Sequence, residues 1–176
     1  MSQRRQLERL GVLLILGVGL LGAGDVGAPP GGAGPQEVSV VGVFVEERTH
    51  LPTVLLQGKR DKRTFSMVIG PAEATGIALP LEKVTPPRPG THDLFLTLFG
   101  RLKVTVTKAV ITDLRDDIFY ATLFLSANGS VLELDSRPSD AIAIAIRAKA
   151  PVYAEGRVFD KAGRAPVGLP DSGARI

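Results

Sequence analysis

Two histidines, a few carboxylates and a few arginines carry whatever chemistry this chain can do. It has no cysteine, which excludes thiolate catalysis, disulfides, cysteine-based zinc sites and a lipoprotein anchor cysteine. His92 stands next to Asp93 and four residues after Arg88. An imidazole titrates near neutrality and can take or give a proton at ordinary pH. With Asp93 and Asp140 as carboxylates to orient it or share proton work, His92 heads the candidate catalytic set. The same His92 and Asp93 could instead fix a helix start and hydrogen-bond to the preceding loop. Arg137 lies three residues before Asp140, and its fork of donors suits a phosphate oxygen. The alternative is a local Arg–carboxylate pair, and an acid in a first helical turn also suits the helix dipole. Ser136 reads more readily as a cap than as a nucleophile. His50, before Leu51-Pro52, has no evident partner.

Other groups extend this set. Glu73 and Asp135, with Asp93 and Asp140, could offer oxygen ligands to a divalent ion such as Mg²⁺, although their spacing matches no dedicated metal motif. Lys59-Arg60-Asp61-Lys62-Arg63 is the densest basic run. Its Lys59 and Arg60 could contact a nucleic-acid backbone or anionic lipid, or simply face water. The formal net charge is +3, and Arg4, Arg5 and Arg9 against Glu8 and Asp25 put +1 of it in the first 28 residues. The remaining +2 is a weak basic balance, short of the footprint of a dedicated nucleic-acid binder.

The elements that must position these groups are readable. At 176 residues the chain suits one domain with tails. Strand-like stretches cover 38–47, 53–58 and 63–70, the last two joined across Lys59–Lys62. Pro71 opens a short helix that Pro80 stops, and residues 81–90 make a proline-rich crossing segment. Thr91 is the expected N-cap of a second helix, with Leu94, Phe95, Leu98, Phe99 and Leu102 as its buried face. Strands follow near 103–113, 118–126 and 130–135, the last two across Asn128-Gly129, a strong hairpin signal. A third helix starts at Ser136-Arg137-Pro138, buries Ala141, Ile142, Ala145 and Ile146, and ends before a short strand at 152–154. The helix starts at Gly70, Thr91 and Ser136 would form an anion site if they converged. The expected fold class is α+β, a single domain of mixed and antiparallel strands with about three helices.

The two halves also resemble each other. A shift of 67 positions lays 40–79 on 107–146, matching Val43 to Val110, Leu56 to Leu123, Pro71 to Pro138, Ala74 to Ala141 and Ile77-Ala78 to Ile144-Ala145. Glu73 then falls on Asp140. Each half reads strand–strand–strand–helix, which is the pattern of an internal duplication. Two Ala-rich amphipathic helices after strands would look alike without one.

Three strings together resemble the bifunctional nuclease domain family. They are Met67-Val68-Ile69-Gly70 with Glu73-Ala74, then Pro87-Arg88-Pro89-Gly90-Thr91-His92-Asp93-Leu94, then Asp135-Ser136-Arg137-Pro138-Ser139-Asp140-Ala141-Ile142-Ala143, ending near Pro151-Val152-Tyr153. Phe119-Tyr120-Ala121 fits between them. The resemblance covers about 38–154 and implies DNA and RNA hydrolysis with little sequence preference. On that reading His92, Asp93 and Asp140 are catalytic, while Arg88, Arg137, Ser139, Lys59 and Arg60 hold the substrate. Two features depart from the family pattern: Gly90, where relatives usually carry a bulkier residue, and an export-type N-terminus.

That N-terminus has a basic start followed by LGVLLILGVGLLGAG over 10–24, the pattern of a secretory signal shorter than a usual spanning helix. Residues 1–28 are therefore expected to be a signal or uncleaved anchor, 29–37 a flexible linker and 155–176 a loosely ordered tail. The expected location is periplasmic, secreted or membrane-tethered, with nucleic acid as partner, membrane contact only through an uncleaved N-terminus, and homo-oligomers possible. A non-catalytic binding or assembly module of the same fold is the second reading. Geometry separates them: for a nuclease, His92, Asp93, Arg137 and Asp140 should line one open cleft, with the basic hairpin on its rim, whereas buried and mutually satisfied they are structural.

Overall fold

The computed structural model describes residues 34–163, Arg48 excepted. The segment expected to direct export, most of the linker and residues 164–176 lie outside the described residues. The element order is β1 (Gln36–Val45), β2 (Pro52–Gly58), β3 (Thr64–Val68), α1 (Pro71–Leu81), α2 (Thr91–Arg101), β4 (Val104–Arg115), β5 (Ile118–Ala127), β6 (Ser130–Ser136), α3 (Pro138–Ala148), β7 (Val152–Ala154) and α4 (Gly156–Ala162). All strands join one sheet in the order β3-β2-β1-β7-β4-β5-β6. Pairing is antiparallel except between β4 and β7. This is the α+β fold with mixed strands that the sequence predicts, with four helices among the described residues rather than three.

The duplication is visible in the elements. Moving β2, β3 and α1 by 67 positions places them on β5, β6 and α3, and the two helices coincide end to end. The sheet repeats the theme, with β3-β2-β1 on one side of β7 and β4-β5-β6 on the other. Helix α1 packs on β1 and β2, α3 packs on β4 and β5, and the two helices meet. Their Ala and Ile residues, Ala74, Ile77, Ala141, Ile142 and Ala145, are sealed in the core. Small side chains let the helices approach the sheet and each other closely.

Turn chemistry follows local rules. Asn128 and Gly129 both take positive φ between β5 and β6, the conformation that a two-residue hairpin demands. Asp116 and Asp117 do the same between β4 and β5, where short polar side chains tolerate the left-handed region.

The structure corrects several sequence expectations. The tail does not begin at 155, because Gly156–Ala162 forms α4, with Val158 and Phe159 in the core. Phe65 of β3 packs edge-on against Phe159, ring centroids 5.0 Å apart, and stacks on Phe119 of β5 at 6.2 Å. Four strands separate β3 from β5 in the sheet, so the sheet curls around this aromatic contact. A seven-residue helix is too short to stand alone, and burial of Phe159 is what makes it form. Gln36 and Glu37, assigned to the linker, extend β1 and pair with Ala154 and Tyr153. The N-cap of α2 is Gly90, one residue before Thr91. Pro80 sits inside the last turn of α1 rather than ending it.

The apolar stripe of α2 is the largest departure. Leu94, Phe95, Leu98 and Leu102 are exposed, while Leu96 and Phe99 lie against the core. The helix rests mainly on α3 and β4, so a narrow face suffices to seat it and the wider one is left outward.

If α4 is integral to the domain, Phe159→Ala should cost about 3–5 kcal/mol of stability, read as a lowered urea midpoint with unchanged m-value. An unchanged midpoint would return 155–163 to the status of a loose tail.

Candidate active site

Helices α1 and α3 each begin with a proline at the first helical position, Pro71 and Pro138. Proline loses nothing there, because that N–H has no helical partner. The fixed start puts Glu73 and Asp140 at equivalent places in the two first turns. The caps differ: Gly70 in one copy and Arg137 in the other. Arg137 therefore reaches both acids. Its Nη1 donates to Glu73 Oε1 at 2.8 Å, its Nε to Asp140 Oδ2 at 2.6 Å and its Nη2 to Asp140 Oδ1 at 3.1 Å.

Asp140 also faces His92 of α2, whose Nε2 lies 3.2 Å from Asp140 Oδ1. A chain Glu73–Arg137–Asp140–His92 thus runs across three helices. It grades from the open Arg137 side chain, 65% exposed, to His92 at 15%. His92 Nδ1 has no hydrogen-bond partner among the described residues, yet the single buried side-chain polar atom without one there is Gln36 Oε1. Nδ1 is therefore not fully buried. The ring lies on Gly76 of α1: a Cβ at that position would stand 2.7 Å from His92 Cε1. Only a glycine leaves room for it there.

Asp93, the next residue, turns elsewhere. Its Oδ2 accepts from the Gly90 N–H at 2.8 Å, and its Oδ1 accepts from Arg147 Nε at 2.8 Å. The first bond is the acidic half of a capping box. Arg147 is 11% exposed and also donates through Nη1 to the carbonyls of Gly76 and Ala143. Gly76 is four residues before Pro80, whose missing N–H leaves that carbonyl without its helical donor. Arg147 supplies the substitute. It is the residue sequence reading missed. Under the 67-residue shift Arg147 falls on Pro80, a signal that could have found it.

The charges follow these contacts. The Gly90 N–H is the foremost cause holding the Asp93 carboxyl below its ordinary range, burial working against it and the Arg147 bond adding to it. At Asp140 burial is the largest influence and favours the neutral acid, but the bonds from Arg137 and His92 together with their charges outweigh it and lower the pKa. Both groups are carboxylates near neutral pH.

The remaining candidates are dispersed. Arg88 is exposed on the crossing segment before α2. That segment, with Pro80, Asp93 and Arg147, bounds a cleft of about 450 Å³ on the Asp93 side of α2. Ser139 is buried, out of reach of a polymeric substrate. Asp135 is exposed on the edge strand β6. The basic hairpin lies at the far end of β3 from α1, not on the rim of this site. There Lys59 pairs with Glu37, and Arg63 bonds Asp61 and Asp160 at 2.8 and 2.7 Å, while Arg60 is exposed. Among the described residues no group of three or more His, Asp or Glu could hold a metal ion. Glu73 and Asp140 are spanned by the Arg137 guanidinium, so the acid set proposed for Mg²⁺ does not fit one.

The family model of the bifunctional nuclease domain matches residues 54–166, which takes in both carboxylates, Arg137, His92 and α4. The chain belongs to the bifunctional nuclease domain family. Two strains of Mycobacterium tuberculosis each hold a protein, described as uncharacterized, that is 40% identical over 127 residues, 72% of this chain and 76% of the relative. Bifunctional nuclease 1 of Oryza sativa subsp. japonica is 32% identical over 81 residues, 44% of this chain and 24% of the plant protein. In this bifunctional nuclease domain Gly90 is no steric requirement. Its φ is −83°, and the nearest atom to an added Cβ is Asp93 Oδ2 at 3.5 Å, an ordinary contact.

Gly76→Ala should displace His92. Helix propensity would gain ~1 kcal/mol, but crowding the ring should leave the variant about 1–2 kcal/mol less stable; an unmoved His92 ring resonance and an undiminished midpoint would contradict the packing. Asp93 yields a pH test. A depressed carboxyl pKa contributes stability above the unfolded value of ~3.9, and that contribution fades as pH falls through the folded value. The stability gap between wild type and Asp93→Asn should therefore be full at neutral pH and shrink in acid, as measured by urea midpoints across that range.

Proposed function

We propose that this domain hydrolyses phosphodiester bonds of DNA and/or RNA with little sequence preference, at the Glu73–Arg137–Asp140–His92 chain. The observation that carries this reading is an imidazole with one nitrogen held by a carboxylate and the other unpartnered and not fully buried, next to an exposed arginine locked by two acids. An anionic Asp140 favours the tautomer with hydrogen on Nε2. Nδ1 then carries a lone pair able to draw a proton from a water attacking phosphorus, while the P–O ester bond breaks and the leaving oxygen takes a proton from solvent. Arg137 has five N–H bonds and spends three on Glu73 and Asp140. The two left over can hold phosphate oxygens as charge develops on them.

Arg88, exposed just before α2, suits a neighbouring phosphate. Contacts of this kind grip backbone and not base edges, so they carry no sequence preference. Asp93 acts here as the positioning residue that holds the start of α2, and thereby His92. Lys59 and Arg60 lie on the distant hairpin, and Ser139 is buried. An export-type N-terminus would make the substrate nucleic acid outside the cytoplasm. The second reading, a binding or assembly module of the same fold, draws on Asp93, whose carboxylate is committed to Gly90 and Arg147.

The test is cleavage of labelled single-stranded and duplex DNA and RNA by the full chain, with and without Mg²⁺ or Mn²⁺. His92→Ala should lower the rate about 10²–10⁴-fold, and the His92→Ala, Arg137→Ala double variant should be inactive while still folded. Equal cleavage by the folded double variant would remove the site assignment. Absence of cleavage by the wild type would favour the binding module.

A further inference from the structure

The outward face of α2 has a regular pattern. Leu94, Leu98 and Leu102 are 60%, 50% and 61% exposed, and Phe95 beside them is 45% exposed. The three leucines are four residues apart and form a single ridge along the helix. That ridge reads the same in both directions about Leu98. We propose that it is the two-fold interface of a homodimer, with α2 packed antiparallel on α2 of a second copy and Leu98 meeting Leu98.

Symmetry makes the ridge self-complementary. In an isologous contact residue i meets j and j meets i. Pairing about Leu98 sets Leu94 opposite Leu102, a pair that is apolar on both sides. The area agrees with the assignment. Side chains of this size and exposure leave roughly 100 Å² each, so four supply about 400 Å². A standard interface takes ~800 Å² from each partner, of which a little over half is apolar.

The measurement is the mass of the full chain by light scattering across a concentration series, expected to reach twice 18.6 kDa. Leu98→Glu should weaken association at least about thirtyfold. Leu98 is already half exposed, so the monomer fold should survive that change, as circular dichroism would check. Because the chain has no cysteine, single cysteines report the geometry directly. Leu98→Cys should form a covalent dimer on mild oxidation. Leu94→Cys should couple to Leu102→Cys in a mixture more readily than to itself, and Arg60→Cys on the distant hairpin should not couple. A monomer at all concentrations, a dimer indifferent to Leu98→Glu, or coupling without this pattern would overturn the proposal. So would a monomer that binds phosphatidylglycerol vesicles through the same leucines, which would assign the face to a lipid surface.

Discussion

One carbonyl organises the helical layer. Pro80 removes the N–H that would have bonded the Gly76 carbonyl, and Arg147 donates to it instead. The same guanidinium holds Asp93 and the Ala143 carbonyl, so one buried cation ties α1, α2 and α3. Burying a charge is costly unless it is paired and hydrogen-bonded, and here Nε and Nη1 both have partners. Once α2 is docked by Asp93, the adjacent His92 lies on Gly76 and reaches Asp140. The candidate site is thus a consequence of the clamp beneath it.

The duplication explains the division of labour around that clamp. Equivalent positions in the two halves hold Glu73 and Asp140, Gly70 and Arg137, Pro80 and Arg147. The acids are retained in both copies, which brings two carboxylates to neighbouring helix starts. The remaining pairs have diverged so that the second copy supplies the cations and the first leaves space and an open carbonyl. Arg137 settles the repulsion between the two acids by bridging them, and Arg147 fills what Pro80 leaves open. Neither half could form the site alone.

Much of this was legible in residue order. Hairpin turns and proline-led helix starts are decided by φ preferences and missing donors within a few residues, and Asn128-Gly129, Pro71 and Pro138 behaved accordingly. The constant offset of 67 positions announced the paired helices before any contact was known. His92, Arg137 and Asp140 were visible as a candidate set because their types and helix-start positions restrict what they can do.

Contacts across long sequence separation were decided by the tertiary structure alone. Arg147 meets Asp93 from 54 residues away, and no local pattern specifies that pairing. The same limit separated Asp93 from its neighbour His92, since adjacent helical residues point about 100° apart and so face different partners. It also governed α2 and α4. Periodicity establishes that a helix has an apolar face but not what covers it: the stripe on α2 faces outward, while Phe159, in a stretch rich in glycine and charge, is drawn inward by Phe65. Sequence by itself determined the elements other than α4 and the chemistry they could carry; packing added α4 and decided which of those groups meet.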